Sequence, residues 1–305
     1  MPRTQTDRGR NVPFSLPRRW VNDLLHFAKK VPLVSGERHL RVRSMMELRR
    51  RTKNPPTWSA LMIKAISKVS VGIPELRRAY MPYPWPHIYE APHSVAAVVF
   101  DRVYEGEHAA FIAPIMYPER RSLAEIAAKT EALRTDPIEN HGALRRLVRT
   151  AKLPWPLRRA VWNIGMYGSG YMRACNFGTF AINSLAGMRG RMLQSMCPIT
   201  SHFYYGLPHK VDGMLFQVAF DHRVFDVYTM MRLANEIEAE FNGELLEEVK
   251  TMNDTPRADG EVESHRVSLP RPRFQMQQVS DEEIHAAALP VRRLASAVAG
   301  SGDDQ

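Results

Sequence analysis

At 305 residues, 44% of them hydrophobic and 24% charged, the chain can bury one large core or two modest ones. Its 42 Lys and Arg against 32 Asp and Glu leave a net charge of +10, which favours anionic partners. The charge is dispersed in clusters such as "RRRTK" and "RRLVR", without zinc-finger spacing or an RNA-binding aromatic motif, so a solvated basic surface is expected and nucleic acid is not. No apolar run is long enough to span a bilayer and the basic start lacks a secretion signal's apolar stretch. Cys175 and Cys197 suggest neither a metal site nor a disulfide framework, and a cytoplasmic setting is the default.

In chain order, residues 1–14 read as a basic extension, and "SLPRRWVNDLLHFAKKVP" as a helix between Pro17 and Pro32. "HLRVRSM" suggests a strand and "MELRRR" a short basic helix. Leu61, Met62, Ala65, Ile66 and Val69 form one helical stripe, capped by Thr57. "HIYEAPHSVAAVVFDR" and "HAAFIAPIMY" read as strands, and "RSLAEIAAKTEAL" as a helix facing Leu123, Ile126 and Ala127 inward. "NFGTFAIN", "CPITSHFYYGLP" and "GMLFQVAFDH" are strand candidates. Val227, Met230, Met231, Ala234, Ile237 and Phe241 then mark an amphipathic helix. From about residue 250 the pattern decays, and 250–305 read as a mostly flexible tail with a short helix in "DEEIHAAALPVRRLASAV". This order predicts α/β (α+β) architecture with a mixed sheet.

The stretch "VAFDHRVFDV" holds the chemistry-bearing pair. His222, at a strand end, can accept and return a proton near neutral pH. Asp226 stands directly before the last helix, where a carboxylate serves more readily as a cap or ion-pair partner than in proton transfer.

"FDHRVFD" resembles the H-x-x-x-D-G signature of the acyltransferase domain of the 2-oxo acid dehydrogenase complexes, shared with chloramphenicol acetyltransferase. Ordered similarities run from about Ser15 to about Asn242 and include "IPELRRAY", "FIAPIMYPERRSLAEIAAKTEAL" and "FGTFAINSLA". The resemblance implies a chloramphenicol acetyltransferase-like mixed sheet flanked by helices over 15–249, assembled as a homotrimer with active sites between subunits. It implies that His222 is a general base on a thiol or hydroxyl that attacks an acyl thioester. It implies that Asp226 steadies the site through an ion pair with Arg18, and that Asn183, or Ser184 beside it, donates to the oxyanion. Coenzyme A or an acyl-CoA is the implied thioester, with a small molecule or lipid as acceptor.

Three departures qualify this. Val227 stands where the family has glycine, so either the turn differs or Val227 opens the helix. The resemblance begins at about Ser15, so a free-standing enzyme with no lipoyl group on this chain is expected. Residues 136–174 read as an insertion mixing Trp155, Trp162, Tyr167 and Tyr171 with Arg158, Arg159 and Arg173. A hairpin packed on the core, a lid over an acyl chain, or contact with an acidic membrane surface would each use that mixture. A non-catalytic trimeric scaffold or a membrane-surface binding protein built on the same fold is the rival to an enzyme.

Overall fold

The computed structural model describes residues 11–185, 191–209, 211 and 213–254. The chain opens with α1 (Leu16–Ala28), capped by the Ser15 side chain, then β1 (Leu33–Leu40), α2 (Arg43–Arg51) and α3 (Trp58–Gly72). Thr57 caps α3 as expected, accepting a hydrogen bond from the Ala60 amide. β2 (Arg78–Met81) and β3 (His87–Glu90) form a small ribbon; β4 (Val95–Tyr104) and β5 (Glu107–Met116) form a long hairpin leading to α4 (Leu123–Thr135). The stretch expected as an insertion, 136–174, falls on α5 (Gly142–Lys152), α6 (Trp155–Asn163) and α7 (Gly170–Phe177), with a π-helical turn over Ile164–Gly168. β6 (Phe180–Ser184), β7 (Ser201–Tyr205), β8 (Met214–Asp221), α8 (Val227–Asn242) and α9 (Glu244–Asp254) complete it.

The main sheet has the order β1-β8-β7-β6-β4-β5, parallel at β4–β6 and β6–β7 and antiparallel elsewhere. Strand alternation gives it two distinct faces. The inner face carries Phe100, Phe111, Phe180, Phe203, Phe216 and Phe220 into a core closed by α3, α4 and α8. Aromatic residues of this size dominate the burial energy of a core. α3 lies so deep that Lys64 is buried, its ammonium donating to the carbonyls of Glu119 and Arg121. The outer face carries Ala97, Ala181, His202, Tyr204, Gln217 and Ala219, as the ladder register requires. There the segment carrying Cys197 and Ile199 packs on Ala97 and Ala181.

Two expectations shift. The strand expected at "HLRVRSM" lies earlier, at Leu33–Leu40, because pairing with β8 fixes it, and Arg43 already belongs to α2. α9 was not expected: Leu245 and Val249, one helical turn apart, are fully buried, so order crosses the boundary placed at residue 250. The helix expected in "DEEIHAAALPVRRLASAV" lies outside the described residues.

The inner face of the insertion packs on α1. Arg158 is buried and bonded to the fully buried carboxylate of Asp23, with Arg159 3.3 Å from the other oxygen. Trp162 stacks on Phe27 at 6.0 Å and lies 5.2 Å from Phe177. Removing Asp23 would leave a buried guanidinium uncompensated, a loss of about 3–5 kcal/mol in such pairs. The packed hairpin therefore describes the inner face, while Trp155, Leu157, Val161 and Ile164 remain exposed on the outer one.

Candidate active site

The end of β8 is built to hold a tight turn. Asp221 is fully buried and chelated by Arg223, whose Nε and Nη2 lie 2.9 and 2.7 Å from its two oxygens. The amides of Val224 and Phe225 return to the Asp221 carbonyl, and Phe225 stacks on Phe220 at 4.6 Å. The His222 amide donates to the Pro32 carbonyl at 3.1 Å, tying the turn to the end of the α1–β1 connection.

On this fixed backbone the His222 side chain is exposed. Its Nδ1 lies 3.2 Å from the Phe225 carbonyl oxygen. A carbonyl can only accept, so this bond places the ring proton on Nδ1 and leaves the Nε2 lone pair free. That is the tautomer of a general base.

Asp226 caps α8: its Oδ1 accepts from the Thr229 amide at 3.0 Å. Hydrogen bonds from that amide first, and from the Thr229 hydroxyl and Tyr228 amide, hold its carboxyl below the usual range. The expected Arg18–Asp226 ion pair is absent among the described residues. Arg18 instead binds Glu107 at 2.8 Å, across the sheet edge at β5, and the cap satisfies Asp226 locally. Val227 is the first residue of α8, so its β-branched side chain meets no left-handed backbone there. Of the two explanations for the missing glycine, the helix-opening one holds.

The "FGTF" motif sets β6 in place. Gly178 has φ +86° and sits so close to β4 that an added Cβ would lie 2.8 Å from that of Ala97. Only glycine fits both conditions. Thr179 Oγ1 accepts from the Val95 amide at 3.0 Å.

Along the strand that follows, Asn183 and Ser184 face opposite ways. Ser184 stands opposite Tyr205 and is hydrogen-bonded to its hydroxyl on the inner face, where the Tyr205 and Ser59 hydroxyls lie 2.5 Å apart. Asn183 is on the outer face, in a cross-strand row with Tyr204, Gln217 and Glu37. Three of that row, Tyr204, Gln217 and Glu37, also line a cavity of about 180 Å³.

One chain does not bring Asn183 to His222. Asn183 aligns with Gln217 across β7, and His222 lies five residues further along β8. At about 3.3 Å per residue, this separates them by roughly 17 Å along the strand.

Beside this row lies a histidine that the sequence reading missed. His202 is 7% exposed, with Nδ1 2.9 Å from the Tyr204 hydroxyl and 3.2 Å from that of Ser195. Burial pushes its pKa down to about 3, and its Nε2 has no hydrogen-bond partner among the described residues. The same burial raises the Cys197 thiol to about 12, which excludes it as a nucleophile at neutral pH. No His, Cys, Asp or Glu cluster among the described residues could hold a metal ion.

This geometry meets its counterparts among solved structures. A probable dihydrolipoamide acetyltransferase from Listeria monocytogenes matches with TM-score 0.54 and 14% identity, covering 83% of this chain and 99% of that one. The Azotobacter vinelandii dihydrolipoamide acetyltransferase matches with TM-score 0.55 and 15% identity over 80% of this chain and 96% of that one. The fold is that of the dihydrolipoamide acetyltransferase catalytic core. It is the chloramphenicol acetyltransferase-like mixed sheet expected from the sequence. The cubic core of a pyruvate dehydrogenase multienzyme complex matches likewise, with TM-score 0.52 and 13% identity, over 80% of this chain and 96% of that one. No family model and no curated protein sequence matches the chain.

Proposed function

We propose that the chain is an acyltransferase that moves an acyl group from a CoA-type thioester to a thiol or hydroxyl acceptor. His222 is its general base, and Asn183 of a second copy is its oxyanion donor. Nε2 takes the acceptor's proton as the sulfur or oxygen attacks the thioester carbonyl. The tetrahedral oxyanion accepts from the Asn183 amide; the carbon–sulfur bond then breaks, and the imidazolium returns its proton to the departing thiolate.

The observation that carries this reading is the His222–Phe225 bond, which leaves a basic nitrogen free on an exposed ring at a rigid turn. The fold likeness supports acyl transfer as the reaction class. In the Azotobacter enzyme a serine, a histidine and an asparagine have been investigated for roles in catalysis, the last two four positions apart. His222 and Asp226 have the same spacing, with Asp226 as the cap that orients the turn.

Asn183 is favoured over Ser184 because it faces outward, where a second copy can reach it, while Ser184 is engaged with Tyr205. Separation of the two half-sites within one chain argues for assembly, and a homotrimer is the form we favour. A cubic core, as in the pyruvate dehydrogenase relative, has a threefold axis at each corner.

The test is His222→Ala, assayed for transfer from acetyl-CoA to a small dithiol. The rate falls about 10²–10⁴-fold with the circular dichroism spectrum unchanged; an unaltered rate in folded protein would falsify this mechanism.

A further inference from the structure

Next to the His222 turn lies a second cavity, of about 220 Å³, walled by Tyr80, Tyr83 and Tyr167 and carrying Lys30, Arg173 and Arg223. It adjoins the turn from both sides: Arg223 follows His222 directly, and Lys30 and Val31 precede the Pro32 carbonyl that binds the His222 amide. The insertion contributes Tyr167 and Arg173.

The charges here do not balance. Asp221 is the one carboxylate acting on Arg173, and both its oxygens are already held by Arg223. Arg173 is 5% exposed and donates to two neutral acceptors, the carbonyls of Tyr80 and Pro198, each at 2.8 Å. No carboxylate lies within ion-pair distance of it among the described residues. Carbonyl dipoles satisfy its protons, yet among the described residues the one carboxylate acting on the cation is already paired with Arg223, an arrangement that is costly in a buried site. Arg223 completes the asymmetry, lying over the Tyr80 ring at 4.0 Å while it grips Asp221.

We propose that this cavity binds an anionic oxygen group, a carboxylate or a phosphate, carried by the acyl thioester that reacts beside His222. The guanidinium of Arg173 supplies the buried charge, Lys30 the charge at the mouth, and the tyrosines an aromatic wall for the carbon chain behind the anion. The proposal rests on the acyl-transfer reading for its connection to His222, but anion binding at Arg173 stands or falls separately.

The experiment therefore has a binding arm and a kinetic arm. Sodium phosphate and sodium succinate are titrated into the full-length protein by calorimetry, with ionic strength held constant by chloride. At least one binds, and Arg173→Met weakens it about ten- to a hundredfold. Lys30→Met, at an exposed position, weakens it less and replaces Arg173→Met if that variant does not fold.

The kinetic arm identifies the source of the anion. If it is the thioester's phosphate, the variant raises KM for acetyl-CoA but not for the acetyl thioester of N-acetylcysteamine, which has no phosphate. If it is an acyl carboxylate, the variant raises KM for the succinyl thioester of N-acetylcysteamine and spares the acetyl one. Absence of acyl transfer with binding intact would refute the enzyme reading alone. Failure of both anions to bind, or binding that survives Arg173→Met and Lys30→Met, would overturn the anion site.

Discussion

His202 stands within β7 and His222 one residue beyond the adjacent antiparallel β8, and their surroundings give one side chain two chemistries. His202 is enclosed on the outer sheet face, its Nδ1 shared by two hydroxyls and its pKa pushed down to about 3 by burial. It remains neutral across the physiological range and cannot serve as a proton acceptor there. His222 is exposed, with its ring proton committed to a backbone carbonyl and Nε2 left open. Neither the residue type nor its place on a strand distinguishes them; burial and the partner of Nδ1 do.

The strongest challenge to this contrast concerns what the open nitrogen needs opposite it. Asn183→Ala removes the outward-facing donor and should lower the acyl-transfer rate about 10²–10³-fold, the usual loss for one oxyanion donor. Ser184→Ala, one residue on, serves as the comparison. It loses a bond to Tyr205 and should lower stability by about 1 kcal/mol in urea unfolding, with kcat little changed. The reverse pattern would move the donor to the inner face.

The smaller effect concerns His202. Its folded pKa lies below the unfolded value of about 6.5, so the unfolded chain binds a proton that the folded chain refuses. The stability this confers is present above about pH 6.5 and is lost as pH falls towards about 3. Between pH 6 and 4 the wild type should lose up to about 1.4 kcal/mol per pH unit more than His202→Leu, as measured by urea unfolding. Parallel curves for the two proteins would show that the ring is not held neutral.

Much of the fold was legible because helices and strands advertise their periods. Of the stripe read from Val227 to Phe241, Met230, Ala234, Ile237 and Phe241 are buried while Val227 and Met231 are exposed, and Thr57 and Asp226 cap their helices. β1 was misplaced because "SGER" interrupts its apolar alternation, and only pairing with β8 reveals the strand. α9 was legible in Leu245 and Val249 but was obscured by the polar sequence after it.

The site was readable residue by residue and not as an arrangement. The side on which Asn183 and Ser184 lie depends on ladder register, which neighbouring strands decide. His202 gave no local signal, since its enclosure by Ser195 and Tyr204 requires the folded sheet. Arg18 pairs with Glu107 instead of Asp226, whose carboxylate caps α8 through the Thr229 amide.

The central claim, that His222 of one copy works with Asn183 of another, is tested most directly by combining two defective chains. His222→Ala and Asn183→Ala are co-expressed in equal amounts under separate tags, and the mixed assembly is isolated. In an isolated mixed trimer of either composition one site in three draws both intact groups, so activity returns to about a third of wild type. Mixed assemblies no more active than either parent would contradict a site shared between copies.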